Sequence, residues 1–130
     1  MTATLPLDPA RERYVSLATF RRDGREVRTP VWIAGVAPRY YVFTEPQVGK
    51  VKRIRANGRA CLAACTMRGH VTGDWIDARA RIVDDPATVA RAYTALRAKY
   101  GFAMWIADTL SRLSGRYHKR VILEIETGAA

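Results

Sequence analysis

The stretch that decides the fold is Tyr40–Cys65, YYVFTEPQVGKVKRIRANGRACLAAC. It reads as strand, glycine-containing loop, short basic helix, strand. Tyr40–Thr44 is rich in apolar strand formers, and Glu45–Gly49 is a loop carrying Pro46. Lys50–Asn57 places Val51 and Ile54 at the i, i+3 spacing of one helix face. Asn57-Gly58 is a helix stop, and Arg59–Thr66 is the next strand. Lys50, Lys52, Arg53 and Arg55 crowd into the helix, whose first turn follows Gly49. A helix N-terminus presents unpaired N–H groups and a partial positive charge, so added cations make it a place for a phosphate.

Working outward, Tyr14–Phe20 alternates as a strand, and Arg21–Arg25 holds the Asp-Gly signal of a hairpin turn. Glu26–Ala34 pairs back as a second strand, in which Pro30 calls for a bulge or an edge position. Gly35–Arg39 is a second turn. A fifth strand alternates from about Gly73 to Asp84. Asp85-Pro86 then caps and opens a helix with Val89, Ala92, Tyr93, Leu96 and Tyr100 on one face. Gly101 interrupts it, Phe102–Leu113 is a second helical piece, and Arg120–Glu126 is the last strand. Six strands joined mostly by hairpins imply an α+β fold built on an antiparallel sheet, and curling into a small barrel removes the edges. Residues 1–130 read as one domain, with residues 1–11 a loose lead.

A composition of 48% hydrophobic and 26% charged residues excludes a disordered chain. No apolar run approaches the ~20 residues of a membrane span, and the N-terminus lacks the form of a secretory signal. A cytoplasmic protein without a membrane partner is the expectation. Cys61 and Cys65 lie on one strand face about 13 Å apart, beyond the ~7 Å a disulfide tolerates. They are expected to be buried thiols. The net charge of +10 attracts anions, whether nucleic acid, an acidic cofactor or an acidic surface. Single-strand nucleic-acid binders interleave aromatics with basic residues, and Lys50–Arg55 contains no aromatic, so nucleic acid is the distant alternative.

The element order, together with Arg28-Thr29-Pro30-Val31-Trp32, Phe43-Thr44, Gly49–Arg55 and Ala78-Arg79-Ala80, resembles the flavin/deazaflavin oxidoreductase superfamily. This is the group of pyridoxamine 5'-phosphate oxidase-like, FMN-binding split β-barrels, and the resemblance covers about Glu12 to Glu126. It implies a homodimer with a cofactor groove at the subunit interface. Carried onto this sequence, it implies that Arg28, Val31 and Trp32 line the cofactor ring. Thr44, after Phe43, would bond the polyol or phosphate. Lys50 after Gly49, with Lys52 or Arg53, would neutralise the phosphate.

Two departures bear on the cofactor. Ile33 stands where the FMN oxidases of this group carry a lysine, and Gly49-Lys50-Val51-Lys52 replaces their Ser-x-Lys. Both look more like the branch that uses the deazaflavin F420, a longer polyanion than FMN. The expected activity is hydride transfer from reduced F420 to an unsaturated small molecule, with an FMN-dependent enzyme or a non-catalytic deazaflavin binder as alternatives. The residues single out no metal site and no catalytic residue. Plainer roles stand beside these: Trp32 as core, Trp75 and Trp105 as packing or dimer contacts, and His70 as a solvated turn residue. His118 is a remote candidate for reaching the site across a dimer.

Overall fold

The computed structural model describes residues 7–45, 49–115 and 120–127. His118, weighed above, lies outside the described residues. The strands are β1 (Val15–Phe20), β2 (Glu26–Val31), β3 (Ala34–Val36), β4 (Arg39–Thr44), β5 (Arg59–Ala64), β6 (Ile76–Val83) and β7 (Val121–Thr127). The helices are α1 (Gly49–Asn57), α2 (Pro86–Tyr100) and α3 (Phe102–Leu113). All strands form one antiparallel sheet in the order β2-β1-β5-β6-β7-β4-β3.

The described residues form seven strands, where the sequence suggested six. The expected second strand, Glu26–Ala34, is two strands. The chain leaves β2 after Val31, and Ala34–Val36 pairs with Tyr41–Arg39 on the far edge of the sheet. Two residues, Trp32 and Ile33, therefore connect opposite edges. A link that short forces the sheet to curl until its edges meet, which is the split barrel. Pro30 sits on the edge strand β2, where its missing N–H costs no ladder bond to a further neighbour. Gly35, at φ +138°, lets the tight β3–β4 hairpin close, because a Cβ there would lie 2.6 Å from the Arg39 carbonyl oxygen.

Alternation along the strands sorts side chains between two cores. Val15, Leu17, Val31, Ile33, Tyr40, Val42, Leu62, Leu123 and Ile125 fill the barrel, and Ile54 of α1 joins them, so α1 closes one mouth. Ala34, Trp32 and Phe43 face outward against Leu96, Tyr100 and Met104 of α2 and α3. Asp85 caps α2 by accepting from the Thr88 N–H at 3.0 Å, and Pro86 follows at the first turn. Gly101, at φ +52°, breaks α2 from α3 where the sequence placed the interruption.

Three expectations need correction. Residues 7–11 are not a loose lead: Pro9–Arg11 is a 3-10 turn with Pro9 buried, tied down by the Lys99 ammonium on the Pro9 carbonyl at 2.9 Å. Strand β5 ends at Ala64 rather than Thr66, leaving only an isolated Cys65–Val71 bridge beyond it, and β6 starts at Ile76 rather than Gly73. Cys61 and Cys65 are free but half-buried rather than buried, because Cys61 lies on the outer barrel face beside Asp77. Burial still pushes both thiols up from their ordinary range.

The seam at Trp32-Ile33 has no strand partner, and α2 supplies one. The Ile33 N–H donates to the Tyr100 hydroxyl at 2.9 Å, and that hydroxyl donates to the Arg13 carbonyl at 2.8 Å. The Ile33 carbonyl accepts from the Lys99 ammonium at 2.5 Å. The Tyr100 ring stacks on Trp32, with centroids 4.6 Å apart and planes at 11°. Burial pushes the Tyr100 phenol up to about 12, so it remains a donor across the accessible pH range. Tyr100→Phe strips a buried N–H of its partner and should destabilise the fold by about 2 kcal/mol in chemical denaturation.

Candidate functional site

The basic helix is positioned by its two buried residues. Val51 and Ile54 anchor α1 at the barrel mouth, which fixes the direction of every other side chain on it. Lys50 and Arg53 turn back toward the barrel, while Lys52 and Arg55 are exposed to solvent. The Arg53 Nε donates to the Thr19 Oγ1 at 2.6 Å. Thr19 is fully buried on β1. The Arg53 guanidinium lies over Gly49, where a Cβ would come within 2.6 Å of Nη1. Glycine at position 49 thus makes the room for this arrangement.

Three cations converge there. The Lys50 ammonium is lowered from its ordinary value, first by burial and then by the charge of Arg53. Arg53 is lowered in turn, by burial and then by Arg21. Cations lowered by burial and by a neighbouring positive charge, at the first turn of a helix, form a place where an anion relieves repulsion.

A second constellation lies where β4 ends. Phe43, Thr44, Glu45, Ser111 and Arg120 line a small cavity of about 90 Å³. Arg120 is almost entirely buried, with its guanidinium 4.3 Å from the Phe43 ring centroid. It donates to the Asp108 carboxylate at 2.7 Å, to the Ser111 Oγ at 2.7 Å and to the Ala107 carbonyl at 3.1 Å. The other Asp108 oxygen accepts from Arg97 at 3.2 Å. This network locks α3 against α2 and the start of β7. Trp32 meets Phe43 edge-on at 6.2 Å, so the seam and the cavity are contiguous.

The residues singled out in the sequence therefore divide. Gly49, Lys50 and Arg53 come together at the barrel mouth, and Phe43 and Thr44 come together with Arg120 at the end of β4. Lys52 points away into solvent. Val31 faces the barrel core and offers a ligand only its backbone. Trp32 is held between Tyr100 and Phe43, so packing takes up much of its surface. Arg28 is exposed on the outer face of β2, paired with Glu26 at 2.5 Å and lying 4.8 Å from the Trp75 ring centroid. Sequence reading missed Thr19, Arg21, Ser111 and Arg120. Thr19 was discoverable: it shares the inward parity of Val15 and Leu17, and a hydroxyl there needs a partner. Arg120 and Ser111 carried no local signal, because they meet only through the packing of α3.

A curled antiparallel sheet with a two-residue seam, a basic helix at one mouth and a helical pair on its flank defines a split-barrel protein. The sequence profile of the family described as pyridoxamine 5'-phosphate oxidase matches residues 8–129, and the chain belongs to that family, in general one of flavin-binding oxidoreductases. Solved structures agree on the fold. A conserved hypothetical protein of Mycobacterium tuberculosis superposes with a TM-score of 0.67 at 20% identity, over 91% of this chain and 74% of that one. HutZ, the heme storage protein of Vibrio cholerae, gives 0.64 at 12% identity over 94% and 86%. A FAD-binding protein of Mesorhizobium loti gives 0.61 at 18% identity over 92% and 84%. No curated protein matches the sequence. Among the described residues, no helix is long and apolar enough to cross a membrane.

Asp108 holds two arginines with one buried carboxylate. Asp108→Asn removes the buried carboxylate charge shared by Arg97 and Arg120 and should destabilise the protein by about 3 kcal/mol, read from the shift in denaturation midpoint at constant slope.

Proposed function

We propose that the protein is an F420-dependent reductase, working as a homodimer whose cofactor groove lies between subunits and closing on an unsaturated small-molecule acceptor. The observation that carries this reading is the convergence of Lys50 and Arg53 over Gly49 at the barrel mouth. This place fits the anionic end of such a cofactor: Gly49 lets the Arg53 guanidinium lie against the start of the helix, and Lys50 and Arg53 there are each disfavoured by a neighbouring cation. Ile33 supports the choice of F420 over FMN, since its side chain is in the barrel core and its peptide is engaged by Tyr100 and Lys99, so no lysine operates from that position.

When bound, reduced F420 supplies the hydride. The protein's part is to bind and orient it and to exclude water. Lys50 and Arg53 would hold the phosphate, with Thr19 fixing the Arg53 fork. Lys52 would add attraction at a distance rather than contact, in line with its exposure. Phe43 and Thr44 would border the polyol, and the backbone around Val31 and Trp32, with Arg28, would border the ring. A second reading, an FMN-dependent oxidoreductase, is favoured by the family profile and by the FAD-binding relative. A non-catalytic binder is favoured by the heme storage relative.

Parallel titrations with F420 and FMN decide among these. The expected outcome is saturable F420 binding that is tighter than FMN binding, and turnover of reduced F420 in a screen of unsaturated acceptors. Tighter FMN binding establishes the second reading, and F420 binding without turnover establishes the third. Lys50→Ala should weaken F420 by about ten- to a hundredfold, the size of a lost charge-assisted hydrogen bond, and Lys52→Ala by much less.

The sign of the pH dependence follows from the lowered Lys50. An anion raises the ammonium back toward its ordinary value, so binding takes up a proton in the alkaline range. Affinity should fall as pH rises through the free-protein value of Lys50, and Lys50→Arg, which stays charged, should flatten that fall.

A further inference from the structure

Helix α3 presents an apolar face that nothing among the described residues covers. Phe102, Trp105, Ile106, Leu110 and Leu113 are 73%, 61%, 39%, 61% and 81% exposed. At 3.6 residues per turn these five fall within one arc, a stripe running about 17 Å along the helix axis. Phe102 and Trp105 stack on each other at 5.6 Å. The opposite arc holds Met104 and Asp108, both buried, and Asp108 is bolted down by Arg97 and Arg120. The helix therefore cannot roll to hide its stripe. Elsewhere among the described residues, the large exposed hydrophobics are Val36 and Met67, each on its own. A continuous stripe of this kind marks an interaction surface.

Charge selects the partner. Pro86–Arg120 carries seven basic residues against one acid, which is more than half of the net +10 of the whole chain. The one acid, Asp108, is buried between arginines, and the exposed arc of α3 contains no carboxylate, with Arg112 exposed at its margin. Two copies facing each other through this stripe would bring two strongly positive segments together. An anionic lipid surface neutralises them while taking up Phe, Trp, Ile and Leu side chains. Aromatic and aliphatic residues on one face, with a basic residue at its margin on a strongly positive chain, match helices that lie in the headgroup boundary.

We propose that α3 seats the protein on anionic membrane surfaces, lying in the interface and not spanning it. This goes beyond the absence of a spanning helix and is independent of which cofactor is bound. In sedimentation with phosphatidylcholine vesicles containing an equal share of phosphatidylglycerol, the full-length protein should pellet with the lipid, and tryptophan emission should shift blue. Pure phosphatidylcholine vesicles should bind far less. The double variant Phe102→Ser, Leu110→Ser should lose roughly tenfold or more in partitioning, with an unchanged melting temperature because both positions are exposed. Absence of binding to the anionic vesicles overturns the proposal. So does undiminished binding of the double variant, which would mean net charge alone drives association. A native dimer that the double variant converts to monomer, with no vesicle binding by either, overturns it in favour of a second copy on this face.

Discussion

The peptide of Ile33 is the point on which the architecture turns. The chain passes there from one edge of the sheet to the other in two residues, and neither edge can offer it a ladder partner. Buried backbone groups without partners are costly, so the seam must be satisfied by something else. Tyr100 and Lys99, adjacent at the end of α2, take its N–H and its carbonyl. The same Lys99 reaches the Pro9 carbonyl, and the same Tyr100 reaches the Arg13 carbonyl, so the N-terminal segment, the barrel seam and α2 are joined at one place. Burial pushes Lys99 down to about 8, which leaves it mainly protonated near neutral pH to make these bonds.

That constraint propagates to the site. With α2 fixed across the seam, Trp32 is trapped between Tyr100 and Phe43, and Phe43 in turn stacks under Arg120. Arg120 orients α3 through Asp108, which sets the direction of the apolar stripe. At the other mouth, α1 buries Val51 and Ile54 and is tied to β1 by Asn57 on the Phe20 carbonyl, and its cations either fold back, as Arg53 does onto Thr19, or go to solvent, as Lys52 does. Lys50 is lowered first by burial and then by the Arg53 charge, and Arg53 first by burial and then by Arg21, so the packing that aims these cations also disfavours their charge.

Particular residues show how far the sequence was readable. The Asp85-Pro86 cap and the Gly101 break follow from local rules, and the structure has them. The continuous strand Glu26–Ala34 was an error of the same rules: strand propensity runs unbroken through Val31-Trp32-Ile33-Ala34, and no local feature reports that pairing changes sides there. The half-burial of Cys61 was misjudged because one barrel face is covered by helices only in part. Of the candidate site residues, Gly49, Lys50 and Arg53 were legible as a group, being on one helix; Arg28, Val31 and Trp32, within five positions of one another, face three different environments.

By itself the sequence determined the element types, the antiparallel sheet and the placing of a basic helix between strands Tyr40–Thr44 and Arg59–Thr66, because these depend on periodicity, caps and turns within a few residues. Only the tertiary structure decided that the sheet is split at Ile33, that Arg53 leans on Thr19 34 positions away, that Arg120 is buried, and that α3 turns its apolar side outward. Those facts are set by long-range packing, where a side chain's partner is chosen by which surfaces meet and not by its neighbours along the chain.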